Sequence, residues 1–234
     1  MQYSANDITV IIPTFNRLET LKRAVASVQS QTVSGAEIII VDDESTDGTA
    51  QWASTLGDEI RYFHQENRGV SAARNRGLRA TTRSWIALLD SDDAWRENKL
   101  RMQLLHANEH TAVKVIQTNE SWIRNGEPLN KKAYHQKPSG WIFPQLLPRC
   151  MVSPSAVMIH SSVFERVGFF DEQYPACEDY EMWLRIGAQY EIANIEQELV
   201  VKYGGHDDQL STTVKALDRY RIQALLKTRR EVVL

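Results

Sequence analysis

The chain has only two cysteines, Cys150 and Cys177, without a metal-type spacing and without a secretory context. They read as buried thiols, and a redox role has no support. A basic excess is missing too. Lys and Arg number 27 against 30 Asp and Glu, a net charge of -3, whereas a domain that grips a phosphate backbone carries a clear positive surplus. Nucleic acid is therefore not expected as a partner, and small charged ligands are. Long apolar runs are also absent: Ile8 to Ile12 is far too short for a signal peptide, and no segment approaches the roughly 20 apolar residues of a membrane span. The expectation is a cytoplasmic protein whose contact with the inner face of a membrane is at most peripheral. Its 234 residues, 42% of them hydrophobic, suffice for one core and a small appendage.

What the chain does have is a regular alternation. Ile8 to Ile12 precedes Arg17 to Gln31, where Leu18, Leu21, Ala24, Val25 and Val28 recur at helical spacing. The pattern returns as Glu37 to Val41 before Gly48 to Leu56, Ile60 to Phe63 before Val70 to Arg79, and Trp85 to Leu89 before Glu97 to Glu109. Four strand-helix units in succession predict an α/β fold with a mostly parallel sheet flanked by helices, and uninterrupted apolar strands fit a sheet covered on both faces. Ligands bind such sheets at the carboxyl ends of the strands. The polar residues fall there, in Pro13 to Arg17, Asp42 to Thr49, Asn67 to Gly69 and Asp90 to Asp93.

The last of these segments says most about chemistry. Asp90, Asp92 and Asp93 end an apolar strand. Alternation puts Asp90 and Asp92 on one face, and Asp93 elsewhere if the strand continues, offering hard oxygen ligands to Mg²⁺ or Mn²⁺. An isolated D-x-D is usually a solvated turn, and Ser45, Asp47 or Gly69 taken singly are caps and turn formers. Capping does not call for carboxylates at two neighbouring strand ends. Arg68, Arg74, Arg76 and Arg79 surround a helix start, where free backbone N–H groups also suit an anion. Carboxylates for a metal beside arginines for phosphates point to a metal-bridged nucleotide.

The succession I-I-P-T-F-N-R, V-D-D-E-S-T-D-G-T, N-R-G-V-S-A-A-R-N-R-G and L-L-D-S-D-D-A-W resembles the nucleotide-sugar-binding half of family 2 glycosyltransferases, which have the inverting GT-A fold. The resemblance covers about residues 7 to 205, and the later segments Gly168 to Glu172 and Glu178-Asp179 extend it. It implies a metal-dependent transfer from a nucleoside-diphosphate sugar, with a UDP-sugar the family-weighted expectation, to a hydroxyl on a glycan or lipid-linked glycan in surface-polysaccharide synthesis. By the same resemblance Pro13, Thr14, Asn16, Arg17, Asp43, Asn67 and Arg74 surround the nucleotide, with Asp43 accepting a hydrogen bond from the base. Asp90, Ser91 and Asp92 form the D-x-D that holds Mn²⁺ or Mg²⁺ and, through it, the diphosphate. Asp179, preceded by Glu178, is the general base, and His206 is a further metal or diphosphate ligand, with Asp207 and Asp208 left open. Without the resemblance, Glu178 and Asp179 are early acidic residues that offset a helix dipole. A nucleotidyltransferase of the same fold is disfavoured by Pro13 to Arg17 where a glycine-rich loop belongs. A non-catalytic sugar-nucleotide binder or scaffold is disfavoured by the intact Glu178-Asp179 pair.

The division expected is a donor half over 1–112, an acceptor and catalytic-base half over 113–210, and a helical tail over 211–234. Val113 to Glu120 and Val152 to Ile159 read as strands, and Ser161 to Val167 as a short helix. Trp122 to Arg149 reads as a long loop shaping the acceptor pocket, its Trp122, Tyr134, Trp141 and Phe143 either stacking on sugars or burying a small core. Cys177 to Ile186 reads as a helix with Tyr180, Trp183, Leu184 and Ile186 inward, followed by a strand around Leu199 to Lys202. Lys215 to Val233 reads as a helix packed on the body, with a dimer contact or a membrane-surface element as the alternatives.

Overall fold

The computed structural model describes residues 2–129, 135–205 and 216–231. The four strand-helix units form as the periodicity requires. They are β1 (Ile8–Thr14) with α1 (Leu18–Gln29), β2 (Glu37–Asp42) with α2 (Thr49–Ala53), β3 (Ile60–His64) with α3 (Val70–Ala80), and β4 (Trp85–Leu88), which reaches α4 (Lys99–Glu109) through the two-residue β5 (Ala94–Trp95). All seven residues of β1 are buried, as its continuous apolar run demands of a strand covered on both faces. β1 pairs in parallel with β2 and β4, and β2 in parallel with β3. α3 lies close against this sheet because Gly77 faces Ile11: a Cβ at Gly77 would sit 2.5 Å from Ile11 Cγ2.

The second half continues the same sheet with mixed polarity. Its elements are β6 (Val115–Arg124), β7 (Glu127–Leu129), α5 (Phe143–Leu146), β8 (Met158–His160), α6 (Ser161–Val167), α7 (Glu178–Gly187), β9 (Ile192–Gly204) and α8 (Leu217–Glu231). The strand order is β3-β2-β1-β4-β8-β6-β9-β5, with β7 on β6. β8 runs antiparallel to β4 and β6, while β6 and β9 pair in parallel with a break in register near Asn119.

Three expectations are corrected here. The long loop from Trp122 is instead the end of β6, a hairpin to β7 and, after residue 135, the short α5. Its turn is Asn125-Gly126, both at positive φ (53° and 83°), which is the backbone that a two-residue hairpin requires and that Asn-Gly favours. The strand expected from Val152 is a 3₁₀ turn at Pro154–Ala156 followed by the short β8, because Pro154 has no N–H for a ladder. β9 begins at Ile192, well before Leu199, since its first half is held by β6. Tyr180, Trp183, Leu184 and Ile186 of α7 are buried as expected. α8 packs on α7 through Ala224 and Thr228, and Lys227 reaches Asp171 (2.7 Å) and Glu181 (2.9 Å). Among the described residues no helix is long and apolar enough to cross a membrane.

Candidate active site

A cleft of about 820 Å³ opens where β1, β2 and β4 end, bounded by the first turns of α3 and α7 and the end of β9. Pro13, Thr14, Asn16, Arg17, Asp43, Asn67, Arg74, Asp90, Ser91, Asp92, Glu178 and Asp179 all line it. His206, Asp207, Asp208 and Tyr134 lie outside the described residues.

The side of the cleft formed by the ends of β1 and β2 is organised by carboxylates. Asp43 accepts from Gln65 Nε2 (2.7 Å) and from the Arg68 N–H (3.0 Å) at Oδ1, and from the Gly69 N–H (2.8 Å) at Oδ2. These bonds draw the β3–α3 loop onto the end of β2, and Gly69 makes the approach at φ +86°. One lone pair of Oδ2 is left over. Asp42, fully buried, accepts from the Ser45 N–H and from the Tyr62 hydroxyl (2.6 Å). Asp47 caps α1 from outside by accepting from the Leu18 N–H at 2.8 Å. Thr14 Oγ1, buried in the cleft wall, has no hydrogen-bond partner among the described residues, which marks a place for a polar ligand atom. Asn16, Glu44 and Cys177 all have left-handed backbone (φ 49°, 76° and 60°), and such conformations cluster at sites that hold ligands.

The carboxylate segment is a turn rather than a continued strand. The Asp93 N–H donates to the Asp90 carbonyl oxygen, and the Asp90 N–H to Ser155 Oγ. Asp90 Oδ1 accepts from Arg74 Nη2 (2.8 Å), and Asp92 Oδ2 from Arg17 Nη1 (2.6 Å). Burial alone would raise the Asp90 pKa, but Arg74, Lys202 and Arg17 overcome it and hold the carboxyl below its usual range. Asp93 turns inward, 1% exposed, and accepts from Ser155 Oγ at 2.6 Å. Burial pushes it up to about 7 against the pull of Lys202, with Asp92 and Asp90 adding to the rise.

At the other wall, α7 begins with Glu178 and Asp179 at its positive end. Glu178 is 5% exposed and accepts from Arg74 Nη1 at 2.7 Å, so Arg74 is bound on both sides by carboxylates. This geometry makes Glu178 an anchor for Arg74 rather than a group exposed to substrate. Arg74 is likewise spoken for, and it tethers the carboxylate turn to α7. Among the described residues Asp179 makes no ion pair; its contacts there are the Tyr180 N–H and, at 3.8 Å, Cys150 Sγ, while Arg74 acts on it at longer range. Burial first and the charge of Glu178 second push its carboxyl up to about 6. Such a group is ionised at neutral pH yet more basic than an ordinary carboxylate, which suits proton abstraction.

Several cleft residues carried no signal in the sequence. Lys202 on β9 donates to Ser153 Oγ (3.0 Å) and stands 3.7 Å from Asp93 Oδ2, its ammonium held charged by the surrounding carboxylates against burial. Tyr203 joins it, and Ser155 stands behind the cleft wall, bonded to Asp90 and Asp93. They come from elements far along the chain whose register the linear pattern does not disclose.

Comparison with known proteins matches this arrangement. Residues 9–168 fit the family described as Glycosyl transferase family 2. An uncharacterized glycosyltransferase of Rickettsia felis is 34% identical over 200 residues, which are 82% of this chain and 32% of that protein. The chain thus spans about a third of the length of that relative. The Escherichia coli protein named UDP-Glc:alpha-D-GlcNAc-diphosphoundecaprenol beta-1,3-glucosyltransferase WfgD is 29% identical over 181 residues, covering 76% of this chain and 69% of its own. Among solved structures, Staphylococcus aureus TarS (residues 1–349) in complex with UDP-GlcNAc superposes with a TM-score of 0.81 at 17% identity, over 100% of this chain and 68% of that one. That likeness shows the GT-A fold. With the family match across most of the sheet, the chain belongs to glycosyltransferase family 2.

Proposed function

We propose that the protein transfers a sugar with inversion from a nucleoside-diphosphate sugar, a UDP-sugar by its likeness to WfgD and to TarS with UDP-GlcNAc, to a hydroxyl of a lipid-linked glycan acceptor. The observation that carries the reading is a single cleft holding a raised carboxyl, Asp179, that makes no ion pair among the described residues, together with an Asp90 and Asp92 pair backed by arginines. Asp179 takes the proton of the acceptor hydroxyl as that oxygen attacks the anomeric carbon, and the diphosphate departs on the opposite side. Asp43 and Thr14 bind the nucleoside end.

Asp90 and Asp92 fit a divalent cation as part of a donor set. Each commits one oxygen to an arginine, and the second oxygen of each accepts no hydrogen bond from the described residues. Among the described residues no group of three His, Cys, Asp or Glu side chains is arranged to hold a metal. The remaining ligands would then be diphosphate oxygens, water or His206, as Mg²⁺ prefers with one or two carboxylates. A bound Mg²⁺ or Mn²⁺ supplies charge neutralisation for the departing diphosphate.

The test is Asp179→Asn assayed for transfer and for UDP binding by calorimetry with Mn²⁺. Transfer is expected to fall at least about a thousandfold, the upper part of the range for a general base, with UDP affinity kept. Retained transfer would sink the assignment of the base. Asp92→Ala is expected to weaken UDP binding in Mn²⁺ and leave binding in chelator unchanged; equal binding in Mn²⁺ would sink the metal site.

A further inference from the structure

Arg23 lies on α1, outside every motif that drew notice in the sequence. Its Nη2 donates to the main-chain carbonyl oxygen of Asp92 at 2.6 Å, and its guanidinium carbon sits 3.7 Å from the ring centroid of Tyr203. Its Nε is buried without a hydrogen-bond partner among the described residues. The two groups it touches belong to different walls of the cleft. Asp92 closes the carboxylate turn after β4, and Tyr203 stands one residue before the end of β9.

The sheet itself does not join these walls. The β5–β9 ladder pairs Ala94 with Val201 and Trp95 with Val200 and stops there. One step further out Asp93 and Lys202 meet across an ion contact of 3.7 Å, and beyond that Asp92 and Tyr203 are connected through Arg23. A planar guanidinium can donate from its edge to a carbonyl while its face covers an aromatic ring, and its fork holds both contacts more rigidly than an ammonium on a flexible stem. Arg17, from the start of the same helix, holds the Asp92 carboxylate. α1 therefore grips Asp92 twice, by side chain and by main chain. A site for a diphosphate tolerates displacements of only about 0.5 Å, so fixing this main chain fixes where the Asp90 and Asp92 carboxylates stand.

We infer that Arg23 is a positioning residue of the donor site, locking the Asp92 end of the carboxylate turn to the end of β9 through Tyr203 so that both walls present a fixed face to the diphosphate. The inference rests on the donor-site reading above. It separates the diphosphate end of the ligand from the nucleoside end, because Thr14, Asp43 and Asn67 owe nothing to Arg23.

The experiment measures UDP with Mn²⁺ by calorimetry, uridine by NMR titration, and thermal unfolding, for wild type, Arg23→Met, Arg23→Lys, Tyr203→Leu and Tyr203→Phe. UDP affinity is expected to fall about tenfold in Arg23→Met and in Tyr203→Leu, a loss of about 1.4 kcal/mol. Arg23→Lys is expected to recover part of the affinity lost in Arg23→Met, Tyr203→Phe to behave as wild type because the ring is retained, and uridine affinity to be the same throughout. If Arg23→Met fails to fold, the two Tyr203 variants decide. The inference is overturned if UDP affinity survives in Tyr203→Leu, or if UDP and uridine weaken together with a lowered unfolding temperature, which is the pattern of a merely structural arginine. Wild type that ignores UDP, Mn²⁺ notwithstanding, would instead strike the donor-site reading and take this inference with it.

Discussion

Asp179 is a carboxyl whose ionisation the folded protein opposes. Its pKa rises from 3.8 unfolded to about 6 folded, through burial first and Glu178 second, so the native state binds its proton more tightly than the unfolded chain does. Its contribution to stability is therefore present below about pH 4 and is lost as the pH climbs through 6. Asp179→Asn keeps the shape and removes the charge. Guanidinium unfolding is expected to show this variant more stable than wild type by about 1–3 kcal/mol at pH 8, from roughly two pKa units, and equal to it near pH 3.5. Equal stability at both values would mean that the carboxyl is not strained. As the proposed base, the same residue sets the rate. Transfer in wild type is expected to lose activity below an apparent pKa near 6. Glu178→Gln should move that limb to lower pH, because it removes a negative neighbour and leaves Arg74 with less opposing charge beside Asp179. A limb that stays at 6 in Glu178→Gln would argue that burial alone sets the value.

At the scale of elements, the helix most tightly specified by packing is α3. Ala at a helical glycine normally gains about 1 kcal/mol in propensity, but at Gly77 its Cβ would meet Ile11 Cγ2 at 2.5 Å inside a buried strand. Overpacking costs about 1–3 kcal/mol, so Gly77→Ala should lower stability by about 1 kcal/mol net in chemical unfolding; a stabilised variant would show that α3 can lift off β1 freely. Elements of this first half were legible because β1, β2 and β4 are built on continuous apolar runs and α1 carries one apolar stripe. The second half hid two things. Asn125-Gly126 carries a strong hairpin signal, yet polar Trp122 to Leu129 looks like loop because β7 is exposed and adds nothing to the core. Pro154 broke the apolar run Val152 to Ile159 into a 3₁₀ turn and a three-residue strand, since a run of apolar residues records burial and not hydrogen bonding.

For the molecule as a whole, the site was legible where chemistry is concentrated in sequence and opaque where it is assembled by register. Asp90, Asp92 and Asp43 announce themselves as carboxylates at strand ends, and Asp179 only through the family resemblance. Ser155, Lys202 and Tyr203 join them through β8 and β9 pairing, and Arg23 through the packing of α1 beside β5, all of which depend on contacts between distant segments. The roles of Arg74 and Glu178 were likewise readable as charges but not as partners, because nothing local says that one guanidinium will span β4 and α7. That spanning has a consequence for the entire fold. The cleft is walled by β1, β2, α3, the carboxylate turn, α7 and β9, so a ligand filling it links the first half of the sheet to the elements from α7 onward. A ligand that binds only the native state stabilises it by about 2.7 kcal/mol at a hundred times its Kd, and a chain of 234 residues gains roughly 2–4 °C per kcal/mol. UDP with Mn²⁺ at that level is expected to raise the unfolding temperature by about 5–10 °C in a single transition. In chelator the rise should shrink to what the nucleoside end alone provides, and in Asp92→Ala it should be small whether or not Mn²⁺ is present. Two separated transitions, with only the earlier half of the chain shifting, would show that the cleft does not couple the halves.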